Sequence, residues 1–310
     1  MTQDLLIYAP EVAEARAKGT AIVALESTII THGMPFPQNV EAARAVEAEV
    51  RKAGATPATI AVMGGKILIG LTDAQLDALG QAEHVMKLSR ADLAACLVQG
   101  KMGATTVAAT MICAHLAGID VFATGGIGGV HRGADTSFDI SADLPELGDT
   151  PVTVIAAGAK AILDLPKTLE YLETRGVPVI AYGQDAFPAF WSRDSGLKAP
   201  LRMDTAADIA AAQLMRTRLG LPGGQLVANP IPLDAEIARE EINPAIEQAL
   251  AEAEAQGIAA KEVTPFLLDR ILELTEGRSL ASNIALVLNN ARLGAAIALE
   301  IVRLRGPQPL

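Results

Sequence analysis

Two ionisable residues, Glu26 and Lys160, each follow a short apolar run, which is a favourable position for a catalytic group. Glu26 comes directly after Ala21–Leu25, and Lys160 comes shortly after Val152–Ala156. Ligands of open α/β sheets bind beyond the carboxyl ends of the strands, so both residues are candidates for a site. A carboxylate beside apolar walls has a raised pKa and can act as a general acid. The alternative for Glu26 is a capping or turn residue in a solvated loop.

Lys160 begins an amphipathic stretch, Lys160–Arg175, that predicts a helix. A lysine at the beginning of a helix lies at the positive end of the helix dipole, which favours the neutral amine. A neutral amine is a nucleophile and can form a Schiff base with an aldehyde. The alternative is a solvated lysine in the first turn.

Lys87 lies just before a predicted helix, Ser89–Gln99. The free N–H groups at the start of a helix and a nearby lysine can together bind a phosphate, although an ordinary exposed lysine gives the same pattern. The glycine-rich run Thr124–Gly129 follows a predicted strand but does not match the dinucleotide-binding fingerprint. A P-loop is also absent from the sequence, so these motifs give little support to nucleotide binding.

The polar segment His131–Asp143 carries one carboxylate every four residues, at Asp135, Asp139 and Asp143. Oxygen ligands of this kind suit Mg²⁺ or Mn²⁺, often through water molecules. An acidic surface loop or an acidic helix face is the alternative. The histidine at the start of the segment, next to Arg132, is a further candidate for binding a phosphate.

The elements that must position these residues alternate between apolar and amphipathic stretches. Val152–Ala156, Lys160–Arg175 and Val177–Tyr182 predict a strand–helix–strand unit, so at least part of the sheet is parallel. The other predicted strands are Ala21–Leu25, Thr59–Met63, Lys66–Ile69 and Asp120–Thr124, and the other predicted helices are Asn39–Ala53, Ser89–Gln99, Thr105–Ala117, Leu233–Ala255, Thr264–Thr275 and Leu280–Arg303. We predict an α/β fold with a mixed, partly parallel sheet flanked by helices and a helical C-terminal part, in one domain of residues 1–310.

Composition narrows the class of protein. The 310 residues carry a net charge of −11 and are only 3% aromatic, which argues against nucleic-acid binding because that needs a basic face or stacking rings.

Cys96 and Cys113 are expected to be buried free thiols in a reducing cytosol. The first residues lack the pattern of a signal peptide. Ser279–Leu304 is apolar but carries several polar residues, so we expect a buried or oligomer-facing helix and no membrane span. A cytoplasmic protein is therefore expected.

Seven segments spread along nearly the whole chain are together distinctive, although each alone is a weak signal. They are Leu25–Pro35, Lys87–Asp92, Gly103–Ala108, Ala123–Gly133, Asp139–Leu144, Gly158–Lys160 and Ser282–Leu286. In this order the segments resemble the pseudouridine-5′-phosphate glycosidase family, also described as the indigoidine-synthase-A-like family. The resemblance implies reversible cleavage of the C–C glycosidic bond of pseudouridine 5′-phosphate to uracil and ribose 5-phosphate.

The resemblance also implies roles for individual residues. It identifies Lys160 as the nucleophile, Glu26 as the proton donor, Lys87 as a phosphate contact and Asp139 as the residue linked to Mn²⁺. The remaining substrate-binding positions are Thr106, Val107, Thr124, His131, Ser141, Ala142, Asp143 and Asn283. Members of the family are trimers, and the Ala-rich C-terminal helix is a candidate for such an interface.

The chemistry explains these residue types. Uracil bonded through carbon is a poor leaving group, so hydrolysis by two carboxylates is disfavoured. Ring opening assisted by Glu26, followed by a Schiff base on Lys160, divides the reaction into easier steps. Two alternatives stay open: a Schiff-base aldolase acting on a sugar phosphate, and a sugar-phosphate sensor without catalysis. Competition by uracil distinguishes the glycosidase from the aldolase, and trapping of an imine with borohydride distinguishes it from the sensor.

Overall fold

The computed structural model of the chain describes residues 3–258 and 262–306. Within these residues one sheet contains eleven strands. The strands are β1 (Leu6–Tyr8), β2 (Ile22–Leu25), β3 (Thr56–Met63), β4 (Lys66–Ile69), β5 (Met86–Leu88), β6 (Gly103–Thr105), β7 (Val121–Ala123), β8 (Thr153–Ala156), β9 (Val179–Tyr182), β10 (Leu201–Met203) and β11 (Gln225–Ala228).

Helices surround the sheet, and short 3₁₀ turns occur at Gln3–Leu5 and Leu233–Ala235. The helices are α1 (Pro10–Lys18), α2 (Thr28–Thr31), α3 (Gln38–Lys52), α4 (Asp73–Gln81), α5 (Arg90–Gln99), α6 (Val107–Leu116), α7 (Ala134–Ser137), α8 (Asp143–Asp149), α9 (Leu165–Thr174), α10 (Ala206–Arg218), α11 (Arg239–Ala255), α12 (Val263–Leu274) and α13 (Arg278–Arg305). The last three helices form the predicted helical C-terminal part.

The sheet is mixed and mostly parallel, which confirms the predicted fold class. Its main path runs β1-β4-β3-β2-β7-β8-β11-β9-β10, and β6 pairs with both β3 and β5. The pairs of β3 with β4 and of β3 with β6 are antiparallel, and the other pairs are parallel. Strands β2, β7 and β8 lie side by side, so their carboxyl ends meet at one edge of the sheet.

The predicted strand–helix–strand unit forms as β8, α9 and β9, but its two strands are not neighbours. Strand β11 lies between them and pairs with both. All four residues of β11 are buried, as are all four of β8. Strands covered on both faces are continuously apolar, and this pattern does not reveal which strand lies beside which.

The prediction of a helix over Lys160–Arg175 is wrong about where the helix begins. Helix α9 begins later, at Leu165. The side chain of Asp164 caps the helix by accepting the backbone N–H of Lys167 at 3.1 Å. Upstream, Gly158 has a φ of +81°, which a helix excludes, and it pairs with Ala189 in an isolated bridge. Lys160 therefore lies in a loop and not at the positive end of a helix.

Two other predicted helices also begin later in the structure. Thr105 belongs to β6, and α6 begins at Val107, because the hydroxyl of Thr106 accepts the backbone N–H of Ala109 and caps the helix. The stretch from Leu233 begins with the 3₁₀ turn, and α11 itself begins at Arg239.

The last helix, α13, is long and apolar enough to cross a membrane by length and composition alone. More than half of its most apolar window is nevertheless buried within the protein. It packs against β2, β7 and β8 and approaches the sheet closely at Gly294, where a Cβ atom would lie 3.2 Å from that of Ala123. Packing in the core therefore accounts for its hydrophobicity.

Candidate active site

The carboxyl ends of β2, β7 and β8 bring together residues that are far apart in the sequence. Glu26 follows β2, Thr124 follows β7, and Lys160 lies in the loop after β8. A cavity of about 260 Å³ opens beside them. Its lining includes ten of the predicted site residues: Glu26, Lys87, Thr106, Val107, His131, Asp139, Ser141, Ala142, Asp143 and Lys160.

A second, smaller cavity of about 90 Å³ also has Glu26, Lys87 and Lys160 in its lining. Asn283, which comes from α13, lines this cavity and not the larger one. Thr124 lines neither of these two cavities. It is buried, and its hydroxyl donates to the carboxylate of Glu26, so it contacts the predicted proton donor directly.

Glu26 is held by two hydroxyl groups. Thr28 donates to one carboxylate oxygen and Thr124 donates to the other. Burial raises the pKa of Glu26 above its ordinary value, and the negative charge of Asp143 adds a smaller rise. The positive charge of Lys160 and the two hydroxyl groups oppose this shift without reversing it. Glu26 therefore keeps a proton to higher pH than an exposed glutamate, as a general acid requires.

The raised pKa of Glu26 has a consequence for stability. The protonated carboxyl contributes stability that is fully present below the ordinary value of 4.5 and is lost as the pH rises through the raised folded value. Glutamine does not ionise. The Glu26→Gln variant should therefore gain stability relative to the wild type between about pH 4 and about pH 8 in urea unfolding.

Glu14→Gln is the matched control for this measurement. Its carboxylate is exposed, and a hydrogen bond from Lys18 lowers its pKa. The stability from that interaction is fully present above 4.5 and is lost only as the pH falls through the lowered value, so above about pH 5 the difference between this variant and the wild type should stay constant. An equal response of the two variants would contradict the assignment of Glu26 as a buried acid.

Lys160 is fixed through its backbone and is only partly buried. Its N–H donates to the carbonyl oxygen of Ile127 at 3.2 Å, and Ala159 forms an isolated parallel bridge with Ile127. The loop is thus attached to the glycine-rich segment that follows β7. Since no helix begins at Lys160, proximity to Glu26 and enclosure by the cavity are the features that bear on its reactivity.

Two histidines near Lys87 of β5 have a lowered pKa. Burial is the main cause for both His32 and His131, and the positive charge of Lys87 lowers the pKa of each further. Lys160 lowers the pKa of His131 further, whereas Asp139 raises it. The two imidazoles are therefore biased toward their neutral forms, and Lys87 is the candidate for contacting an anionic ligand.

The three aspartates of the segment that follows the glycine-rich run do not converge. Asp135 forms an ion pair with Lys167 at 2.6 Å, and Asp139 lies 3.9 Å from His131. Asp143 is buried and accepts backbone N–H groups. In residues 3–258 and 262–306, no group of three or more His, Cys, Asp or Glu side chains is arranged to hold a metal ion. These three carboxylates therefore do not form one metal site in the described residues, and the predicted role of Asp139 with Mn²⁺ concerns that residue alone.

Asp143 joins two segments that form the wall of the cavity. Its Oδ1 accepts the N–H of Ala108 in the first turn of α6 at 2.9 Å, and its Oδ2 accepts the N–H of Gly128 at 2.8 Å. A Cβ atom at Gly128 would collide with the hydroxyl of Ser141 and lie 2.8 Å from Asp143 Oδ2. The absence of a side chain at Gly128 thus lets the backbone of this segment approach Asp143 closely. Both oxygens of the Asp143 carboxylate already accept backbone N–H groups.

Replacing Asp143 with asparagine should destabilise the protein. The amide has one acceptor oxygen, so one of the two buried backbone N–H groups loses its partner. We expect the free energy of unfolding to fall by about 1–3 kcal/mol. The exposed Asp135→Asn variant is the control, and its free energy of unfolding should stay close to that of the wild type because solvent screens an exposed ion pair. Equal effects of both variants in chemical denaturation would show that the buried contacts of Asp143 have been overestimated.

The backbone positions the remaining predicted residues around the larger cavity. Thr106 donates its hydroxyl to the carbonyl oxygen of Leu88 at 2.7 Å while it caps α6. Ala142 occupies the N-cap position of α8, and the hydroxyl of Ser141 accepts the N–H of Asp143 at 3.2 Å. The first turns of α6 and of α8, which Asp143 begins, therefore both contribute to the lining of the cavity.

Several residues at the site were not predicted. Thr28 lies in one of the quoted segments but only the structure shows its contact with Glu26. Thr264 of α12 lines both cavities. Phe190 lines the smaller cavity, and next to it Trp191 donates to Asn283. The sequence carries one signal for this pair: adjacent large rings are unusual in a chain that is 3% aromatic and has one tryptophan.

A wider cavity of about 850 Å³ lies at a different place, next to Ile22 and Val121, where β2 and β7 begin. Its lining includes Arg305, which forms an ion pair with Asp120 at 2.5 Å. This position is opposite to the carboxyl ends of the strands, where ligands of α/β sheets bind. The smaller cavities are therefore the better candidates for an active site.

Comparison with known proteins identifies closely similar chains. The family described as indigoidine synthase A like protein matches residues 11–300. The chain is 74% identical over 293 residues to a protein of Jannaschia sp. (strain CCS1) named pseudouridine-5′-phosphate glycosidase, with 94% of this chain and 97% of that protein covered. A protein of the same name from Paracoccus denitrificans (strain Pd 1222) is 73% identical over 296 residues, with 95% and 97% covered.

Two solved structures are also similar over nearly their full length. The prealnumycin C-glycosynthase AlnA in complex with ribulose 5-phosphate gives a TM-score of 0.90 at 37% identity, with 98% of this chain and 99% of that chain covered. An indigoidine synthase A-like protein from Thermotoga maritima gives a TM-score of 0.88 at 32% identity, with 96% and 97% covered.

Proposed function

The chain belongs to the family described as indigoidine synthase A like protein, and we propose that it reversibly cleaves the C–C glycosidic bond of pseudouridine 5′-phosphate to uracil and ribose 5-phosphate. The observation that carries the mechanism is the convergence of Lys160, Glu26 and Lys87 on one cavity. A nucleophile, an acid and a cation for the phosphate are the groups that this reaction needs.

The first step opens the ribose ring. The amine nitrogen of Lys160 bonds to C1′ while the bond from C1′ to the ring oxygen breaks. Glu26 donates its proton to that oxygen, which becomes a hydroxyl group. The raised pKa of Glu26 supports this role, because a buried carboxyl holds the proton that the leaving oxygen must receive.

The second step breaks the carbon–carbon bond. The Lys160 nitrogen, which became an ammonium group when it bonded to C1′, first returns a proton to the carboxylate of Glu26. Its lone pair then forms a double bond to C1′, giving an iminium ion. The bond between C1′ and C5 of uracil breaks, and its electron pair goes to C5, which takes up a proton. Water then adds to the iminium ion and releases ribose 5-phosphate and the free amine, so the covalent intermediate replaces one difficult step with easier ones.

Mn²⁺ is the proposed cofactor, and Asp139 is the residue that would hold it. Its carboxylate is partly exposed at the larger cavity, beside His131. One carboxylate fits an ion that keeps most of its water molecules or takes oxygen atoms from a ligand, as small hard cations do. When bound, the ion would supply positive charge near the phosphate and sugar oxygens.

Asp139→Asn should raise the Mn²⁺ concentration that gives half-maximal activity by about tenfold or more, since a neutral amide oxygen attracts the ion less than a carboxylate does. Direct Mn²⁺ binding, measured by electron paramagnetic resonance, should weaken in parallel. Asp135→Asn is the control, because Asp135 pairs with Lys167 on the neighbouring helix. Equal Mn²⁺ affinity in the wild type and the Asp139 variant would contradict the proposal.

The function itself is tested by incubating the purified protein with pseudouridine 5′-phosphate and separating the products by chromatography. We expect equal amounts of uracil and ribose 5-phosphate, and the reverse reaction should consume both. The similar AlnA structure is a C-glycosynthase, so other aromatic acceptors should be tried beside uracil. Turnover with those acceptors and none with uracil would overturn the proposed substrate.

The assembly and location of the protein follow from the same proposal. We propose a homotrimer, which light scattering of the purified protein tests. Much of the apolar surface of α13 packs against the sheet, so a trimer must use other surfaces in addition to, or instead of, this helix. A cytoplasmic location is supported by two buried free cysteines, Cys96 and Cys113, since free thiols suit a reducing compartment. Cell fractionation tests it.

A further inference from the structure

We propose that Trp191 is a positioning residue, which by hydrogen bonding to Asn283 turns the amide NH₂ group of that side chain toward the sugar phosphate. This inference rests on the proposed function and adds a residue to it. Trp191 lies outside the segments that carry the family resemblance, and it does not line either cavity. Trp191 must therefore act on the reaction through a side chain that does line a cavity.

The geometry fixes which end of the Asn283 amide faces Trp191. The indole N–H of Trp191 is 2.7 Å from Asn283 Oδ1, and it also contacts the carbonyl oxygen of Ser279, one turn earlier in α13, at 3.1 Å. An indole nitrogen only donates hydrogen bonds, so the oxygen of the amide must accept. Asn283 is then left with its two N–H donors for other partners, among them the ligand oxygen atoms in the cavity that it lines.

The position of Trp191 is itself well determined. Its side chain is 1% exposed, and its ring packs edge-on against Phe190 with the ring centroids 5.0 Å apart. The aromatic pair is thus a rigid support for an amide that would otherwise turn freely.

Phe190 connects this support to the loop that carries Lys160. Its backbone N–H donates to the carbonyl oxygen of Ala157 at 2.8 Å, and a Cβ atom at Gly126 would lie 2.6 Å from its ring. Phe190 holds a φ of +60°, which is strained for a residue with a large side chain. The aromatic pair therefore links α13 to the segments that follow β7 and β8.

The test is a double-mutant cycle with Trp191→Phe and Asn283→Ala. Phenylalanine keeps an aromatic ring and removes the N–H donor. We expect Trp191→Phe to raise KM for pseudouridine 5′-phosphate by about five- to tenfold, the effect of one hydrogen bond. In the Asn283→Ala background the same change should alter KM by less than about twofold, because the residue through which Trp191 acts is gone.

A third variant, Asn283→Asp, tests the orientation of the amide. The carboxylate still accepts from Trp191 but offers an oxygen where asparagine offers NH₂. We expect its KM to rise at least as much as that of Asn283→Ala. Thermal unfolding of every variant accompanies the kinetics. Equal effects of Trp191→Phe with and without Asn283, or an Asn283→Asp variant with the wild-type KM, would overturn the proposal.

Ribose 5-phosphate binding, measured by calorimetry, separates this inference from the proposed function. A wild-type protein that binds ribose 5-phosphate but does not cleave pseudouridine 5′-phosphate contradicts the proposed function, and the cycle is then carried out on the dissociation constant. A wild-type protein that does neither contradicts both proposals. A wild-type protein that cleaves, with no coupling between Trp191 and Asn283, contradicts the inference alone.

Discussion

Replacing Lys160 with alanine should lower kcat for pseudouridine 5′-phosphate by at least about 10⁴-fold, because the covalent intermediate forms on its amine. Lys87, the other lysine in the lining of the cavity, has the separate proposed role of binding the phosphate. Without the amine, C1′ has no nitrogen whose lone pair can form the double bond as the C1′–C5 bond breaks, so uracil has no route to leave through carbon. Ribose 5-phosphate should still bind, since Lys87 remains in the cavity. The loss should therefore appear in kcat and not in folding or in ligand affinity.

Lys167→Ala is the matched control for this experiment. Lys167 lies on α9, shortly after the loop that carries Lys160, and it pairs with Asp135 and Asp164. It lines neither cavity at the site. We expect this variant to keep kcat within about twofold, as is usual for exposed charges away from the reacting atoms. A turnover of Lys160→Ala close to that of the wild type would contradict the covalent mechanism.

The second large effect is expected for Glu26→Gln, which should lower kcat by about 10²- to 10⁴-fold, the range for removing a positioned general acid. Glutamine has nearly the same shape. Its one oxygen accepts from one of the hydroxyl groups of Thr28 and Thr124, and its NH₂ group donates to the other once that hydroxyl has turned to accept, so the cavity should keep its shape. In the wild type, kcat/KM should fall as the pH rises through the raised pKa of Glu26, since the deprotonated carboxylate has no proton to donate. This limb of the pH profile should disappear in the variant.

Free ribose 5-phosphate distinguishes the acid role from a general loss of function. Its open-chain form is already an aldehyde, so an imine with Lys160 does not need protonation of the ring oxygen by Glu26. The Glu26→Gln variant should therefore still form this imine. Glu47→Gln is the control for loss of a buried carboxyl with a raised pKa, because Glu47 lies on α3 and bonds to Thr59, away from the cavity. Equal losses of kcat in the two variants would contradict the acid role.

The sequence predicts the fold class because periodicity reports burial on a local scale. Runs such as Val152–Ala156 are apolar apart from Thr153, as is typical of parallel strands covered on both faces. Strand order is a different kind of information. Nothing in Gln225–Ala228 indicates that it inserts between β8 and β9, because the pairings join residues 72 and 47 positions apart.

The sequence predicts which residues lie at the site but not which groups they contact. The spacing of Asp135, Asp139 and Asp143 suggests one helix face, yet α7 ends at Ser137 and Phe138 adopts a φ of +54°. The chain reverses there, and Asp143 begins a separate helix with its carboxylate turned to backbone N–H groups. A period of four residues gives a common face only where the helix continues, and the break depends on backbone conformation that the spacing does not record.

The measurement that tests the central claim most directly is borohydride reduction of the wild-type protein in the presence of ribose 5-phosphate, followed by intact mass and peptide mapping. The account predicts one sugar-phosphate adduct per chain, on Lys160, that is absent from the Lys160→Ala variant. An adduct on another lysine, or no adduct under conditions where the same protein releases uracil from pseudouridine 5′-phosphate, would contradict the imine mechanism.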